Sequence, residues 1–239
     1  MPTEQTNRNR TIVIGLALVA LLFGGAWWYL HTNSGYPHQF VGGESVQSWD
    51  FRGAYTGQPD SEQKGQDEIA RLKDLLGKED DEHTDYSIFV GIAGQYDLLG
   101  DGKNEYEYLK KALAIDAEGT GLAWHNMGNL LAHVDALQSA RDAFARAAKA
   151  QSQQIQYQSV YLEFTTENFP DDTVAIETAF SDAKAIFGDN STLLEIRARW
   201  LESVKRPKEA IEEWKKVKIL SPAAGAAIDI EIKRLEGQL

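Results

Sequence analysis

Apolar and polar positions fall into three regimes along the 239 residues. Residues 11–30 (TIVIGLALVALLFGGAWWYL) are apolar throughout, with no charge and no side-chain amide. A helix of that length rises roughly 30 Å, the thickness of a bilayer's hydrocarbon core, so this run is expected to be a transmembrane helix. Trp27, Trp28 and Tyr29 close it, where amphipathic rings favour the headgroup boundary. Residues 31–60 lose all period. Gly35, Gly42, Gly43, Gly53 and Gly57 with Pro37 and Pro59 exclude a long helix there. Phe40, Val41, Val46, Trp49, Phe51 and Tyr55 nevertheless carry too much apolar mass for a solvated spacer. Residues 46–52 alternate imperfectly, as a short strand or a hook does. These aromatics are expected to pack on the domain that follows, the alternative being a short segment held for a partner.

From about residue 67 the spacing is helical, with turn signals every dozen or so residues. Ile69, Leu72, Leu75 and Leu76 share one face of a helix expected over 67–77. Gly100-Asp101-Gly102, residues 168–172 and Arg206-Pro207 separate paired helices, and Gly188 to Ser191 reads as a C-cap followed by an N-cap. Over 224–239 a last helix turns Ile228, Ile232 and Leu235 inward, although the Ile-Asp-Ile-Glu-Ile alternation also fits a strand.

The helical region repeats itself. Trp124-x2-Met127-Gly128-x2-Leu131 is followed by Ala140-x3-Phe144-x2-Ala147. Thirty-five residues earlier stand Phe89, Ile92, Ala93 and Tyr96, then Leu109 and Ala112, with Glu105 where a small residue belongs. A degraded copy follows at Val160, Phe164, Ile176, Phe180 and Ala183, and another at Leu194, Ala198, Leu201, Ala210, Trp214 and Val217, closing on Pro222. Small stations let paired helices approach closely, while large ones (Trp124, Phe144, Phe180, Trp214) fill the gaps between neighbouring pairs.

This pattern resembles the tetratricopeptide repeat (TPR) family over residues 86 to about 222. The resemblance implies an all-α TPR superhelix of about four helical hairpins plus flanking helices, behind one N-terminal transmembrane helix. The repeats would cover about 86–119, 121–154, 157–190 and 191–224 of a 61–239 domain, before a capping helix. It further implies a protein or peptide partner in the concave groove lined by the first helix of each hairpin. Those lining positions are Val90, Gly94 and Asp97, then His125, Asn129 and His133, then Tyr161 and Thr165, then Glu195, Arg199 and Glu202. The carboxylate clamp of chaperone-binding TPR domains is not expected, since Asn129 alone matches one of its stations.

Charge and composition then narrow the class. With 24 Lys+Arg against 36 Asp+Glu, the net charge of -12 argues against nucleic acid. The absence of cysteine excludes disulfides and thiolate chemistry. Arg8 and Arg10 precede the apolar run with Glu4, and a net -13 follows it. That asymmetry places a short tail (1–10) in the cytoplasm and the domain outside the plasma or inner membrane, in the manner of membrane-anchored bacterial TPR proteins. No catalytic motif, cofactor or metal is expected. His125 and His133 share a face but lie roughly 12 Å apart, too far for one ion. Residues 97–108 lack a calcium loop's ligands at Leu99 and Tyr108, and 79–82 is an acidic loop. The expected function is a membrane-anchored scaffold. A structural subunit using the membrane helix as an interface (Ala20-x3-Gly24) and a cleaved, secreted TPR module are the alternatives.

Overall fold

The computed structural model describes residues 38–78 and 83–239. The 11–30 run, with Trp27, Trp28 and Tyr29, and the acidic stretch 79–82 lie outside them. Among the described residues no helix is long and apolar enough to cross a membrane. Those residues are all-α: ten α-helices, two 3-10 turns (Val41–Gly43 and Pro222–Ala224) and one isolated antiparallel bridge, Asp50 with Asp101.

Helix α1 (Pro59–Leu75) begins earlier than the 67–77 periodicity indicates. Pro59 presets the first turn and Asp60 and Glu62 suit the positive end of the dipole, but the first apolar contact comes only at Ile69. A capping box between Thr84 and Ser87 opens α2 (Asp85–Leu99), and Asp101 caps α3 (Gly102–Ile115) through the Asn104 amide. The pairs α4 (Leu122–His133) with α5 (Leu137–Ala150), and α6 (Ile155–Asn168) with α7 (Thr173–Phe187), follow. Asn190 caps α8 (Ser191–Ser203), α9 (Pro207–Leu220) returns alongside it, and α10 (Gly225–Glu236) closes the chain as a helix with Ile228, Ile232 and Leu235 buried. Pro222 opens the 3-10 turn beyond α9.

Three of the intra-pair turns are the same turn. Gly100 (φ 78°), Asp135 (φ 60°) and Lys205 (φ 62°) hold the left-handed conformation, spaced by 35 and then 70 residues. In each, the next amide reaches back five residues: Asp101 N to Tyr96 O at 2.9 Å, Ala136 N to Leu131 O at 2.8 Å, Arg206 N to Leu201 O at 2.8 Å. This is the Schellman-type closure that satisfies the last carbonyls of a helix. The α6–α7 connection departs from it. Pro170 stands in that turn, and no residue there has a positive φ.

Each helix packs on the next. Within the described residues α2 also touches α4 and α6 touches α8, while α3 with α5 and α7 with α9 make at most marginal contact. The first-of-pair helices therefore touch in two pairs, α2 with α4 and α6 with α8, joined through the packing of α5 on α6, and the second-of-pair helices stand apart, with channels between them. Tyr96, Ala112, Trp124, Gly128, Ala140, Phe144, Ala147, Phe180, Ala183, Ala210 and Trp214 are all buried at the stations the repeat assigns them. Two large apolar clusters result: one built on α2 to α5, the other running from α6 to α10.

Residues 38–58 lie on the first two hairpins as a strap. Phe40 stacks on Tyr106 with centroids 6.1 Å apart, Trp49 reaches the same ring at 4.8 Å, and Phe51 rests on His133 at 4.9 Å. Phe51 N donates to Gly100 O, Gly102 N to Trp49 O and Tyr55 N to Leu98 O, so the strap runs antiparallel to the end of α2 as a hook and not as a strand. Packing on the domain, the first of the two expectations for these aromatics, is what the structure has.

Candidate binding surfaces

The eleven residues expected to line the groove divide by burial. Val90 (8% exposed) and Thr165 (0%) are in the core and offer nothing to a ligand. Val90 joins the first apolar cluster, and the Thr165 hydroxyl turns back to donate to Tyr161 O at 2.7 Å. His125 is half-buried, its ring 5.8 Å from Phe144 and 5.5 Å from Tyr157, and burial pulls its pKa down. It holds Asn129, whose Nδ2 lies 3.3 Å from His125 Nε2. It is thus a packing group in a position expected to face a partner.

The others do reach the surface of the first-of-pair helices. Gly94 has open space beside its Cα. Asp97 and His133 face each other across α2 and α4 at 3.9 Å, the carboxyl pushed up by burial and drawn back by the histidine. Tyr161 is half-buried on α6, its hydroxyl pKa raised by burial. On α8, Arg199 pairs with Glu195 at 2.6 Å, and Glu202 pairs with Arg234 of α10. The structure brings Asp97 with His133, and Arg199 with Glu195 and Glu202, into two separate groups. Phe51 of the strap covers the first.

The second group borders two clefts. One of about 200 Å3 lies between α6 and α8, lined by Glu163, Thr166, Glu167, Pro170, Ile196, Arg199, Trp200 and Ser203. The other, about 390 Å3, adds Glu202, Lys205, Trp214, Glu231 and Arg234, and the two meet at Arg199 and Ser203. Thr166, although only 7% exposed, lines the first where the alignment expects Thr165.

Trp214 has a signal no sequence pattern carries. The indoles of Trp124 and Trp200 donate to Ala117 O at 2.7 Å and Pro170 O at 3.0 Å. Trp214 Nε1 is shielded from solvent and has no partner among the described residues. A buried, unspent donor of this kind costs about 1–3 kcal/mol. Arg199 lies over the same ring at 5.8 Å.

On the opposite side, the strap's contacts are those of a bound ligand. Glu44 accepts from Gln138 N, Ser139 N and Ser139 Oγ, each at 2.8 Å, capping α5 from outside. Burial alone raises this carboxyl, but those three donors outweigh it and hold it below the usual carboxylate range. His38 lies 5.8 Å from Tyr106 and 6.2 Å from Trp124, and burial lowers its pKa, with Arg146 and Lys110 adding to the fall and Asp142 opposing it. Among the described residues no group of histidines and carboxylates is arranged to hold a metal ion. No family model matches the chain, and no curated protein matches it.

Proposed function

We propose that this protein is a membrane-anchored scaffold in which TPR-type hairpins, held outside the plasma or inner membrane by the 11–30 run, bind an extended polypeptide. The observation that carries the reading is the single turn geometry recurring at Gly100, Asp135 and Lys205. One supersecondary unit repeated at a fixed period builds an extended surface and no enclosed pocket, which suits protein binding rather than chemistry on a small substrate. The strap supports it from a second direction, because the array already holds one extended aromatic segment, its own.

The test has two arms. The full-length chain should remain in the membrane fraction after carbonate extraction with its N-terminus intact, and a mature product beginning near Trp27 would overturn the anchor. In cross-linked pull-downs from native membranes, Arg199→Ala with Asn129→Ala should reduce partner recovery severalfold without loss of helicity. Undiminished recovery, with release instead by Ala20→Ile and Gly24→Ile, would move the interface to the membrane helix.

A further inference from the structure

The strap lies in the channel between α3 and α5, over α4. Its His38 ring packs on Tyr106 of α3 and Trp124 of α4 and feels the charges of Asp142 and Arg146 on α5 and Lys110 on α3. Carried two hairpins along by the repeat's packing stations (Leu109 to Phe180, Trp124 to Leu194, Phe144 to Trp214), Tyr106, Lys110, Trp124 and Arg146 become Glu177, Ser181, Leu194 and Lys216. All four line one open cleft of about 210 Å3 between α7 and α9, over α8. What the chain fills with its own segment in one channel it leaves open in the equivalent one.

The open channel has a definite chemistry. Phe180, Leu193 and Leu194 give it an apolar floor. Its acids are already taken: Glu177 by Arg197 at 2.8 Å and Arg206 at 3.0 Å, Glu213 by Arg197 at 2.8 Å and Lys216 at 3.1 Å, and Asp189 by Lys184 at 2.8 Å. The lining's three cations, Lys184, Arg197 and Lys216, thus match its three carboxylates, and Arg206, outside the lining, is shared with Glu209. Arg197 Nε is shielded and unpartnered among the described residues, and each lysine has donors to spare. The unspent capacity is for a hydrogen-bond acceptor beside an apolar group. At the first residues of α9 the channel differs from its counterpart, since Glu209 stands where Ser139 does and pairs with Arg206 at 2.5 Å. An incoming carboxylate would therefore meet Arg197 and Lys216, not the α9 amides.

We propose that the α7–α9 channel is a second docking lane, which takes from a partner protein an extended segment with the strap's own chemistry, an aromatic side chain followed within a turn's length by a carboxylate. This rests on reading the array as a binding scaffold but assigns the opposite face from the Arg199 clefts, so either can fail alone. The probe is a synthetic peptide of residues 38–46 (HQFVGGESV), titrated by fluorescence anisotropy into the full-length chain in detergent.

The expected result is saturable one-to-one binding that Ser181→Trp weakens at least tenfold. Ser181 is exposed, so the new ring plugs the channel without disturbing the core. Lys216→Glu in the protein, or Glu44→Gln in the peptide, should each weaken binding severalfold. Ser139→Ala, in the strap's own channel, should leave it unchanged. No saturable binding up to about 1 mM, binding indifferent to Ser181→Trp, or binding that follows Ser139→Ala would each overturn the proposal.

Discussion

Gly128 stands where α4 crosses α5, and a Cβ there would come within 2.5–2.9 Å of three ring atoms of Phe144. Phe144 is 3% exposed and hemmed in by Phe164 at 5.0 Å, so it has nowhere to move. Gly128→Ala should therefore destabilise the chain by about 1–3 kcal/mol, as overpacking of a filled core does, despite its better helix propensity. Urea denaturation checks this, and an unchanged midpoint would mean that the helices separate at no cost. Glu105 is the opposite case, a large polar residue at the station of Ala140 and Ala210. It is 3% exposed and its Oε2 has no partner among the described residues; burial, with Asp97 adding to it, pushes its pKa up to about 9. A carboxyl raised in the folded state favours folding fully only below its ordinary value of 4.5, and that contribution is lost as pH climbs towards 9. Stability should accordingly fall between about pH 5 and pH 9, and Glu105→Gln should remove most of that slope and gain roughly 1–3 kcal/mol at the alkaline end. Parallel stability curves for the two proteins would show that Glu105 titrates normally.

Among the elements, the strap is the one whose position depends on specific small residues. A Cβ on Gly53 would collide with Gly100 N and Leu98 O, and one on Gly100 with Phe51 O, so two backbones meet there with no room for a side chain. Gly53→Ala should detach the strap while the hairpins stay folded, read as loss of hydrogen-exchange protection at the Phe51 and Tyr55 amides alone. Acid should loosen the same contacts. Glu44 and His38 both have lowered pKa values in the folded state, so their contributions are present above their ordinary values and decline as pH falls through the folded ones. Protection of those two amides, corrected for intrinsic exchange, should drop as pH falls from about 7 to below 4.5, and a Glu44→Gln, His38→Phe double variant should show no such drop. The sequence shows the strap's aromatics but not their destination, because Phe40 on Tyr106 and Glu44 on Ser139 are contacts across tens of residues that no local period encodes. It shows the helix pairs well, since small and large stations alternate at one spacing and Gly128 admits only one partner. It misplaces the start of α1, whose first two turns are polar, and one position of α6, where Thr165 turns into the core instead of lining the groove.

For the molecule as a whole, α6 decides whether the array behaves as one body. Its Tyr157, Val160, Tyr161 and Phe164 lean on the first apolar cluster while Leu162 is buried in the second, so a single helix joins the two. It also carries features that weaken a helix locally. Thr165 and Thr166 donate back to Tyr161 O and Leu162 O, a bond pattern that competes with the helical ladder, and no side chain caps its start. In a linear array, stability is a sum of unit and neighbour contributions, and cooperativity survives only while each interface outweighs the cost of parting it. A ring contact across this joint is Phe164 on Phe144 at 5.0 Å. Phe164→Ala should therefore divide one unfolding transition into two, with residues 85–150 and 191–236 losing amide protection at separate urea concentrations. The wild type should lose protection in both segments together, as Gly128→Ala should at a lower midpoint, because that change weakens a pair and leaves the joint intact. Coincident loss in Phe164→Ala would show that the contact of α6 with α8 suffices to hold the halves together. A partner lying along the first-of-pair face spans this same joint, through Tyr161 and Arg199, and binding there should merge the two transitions again.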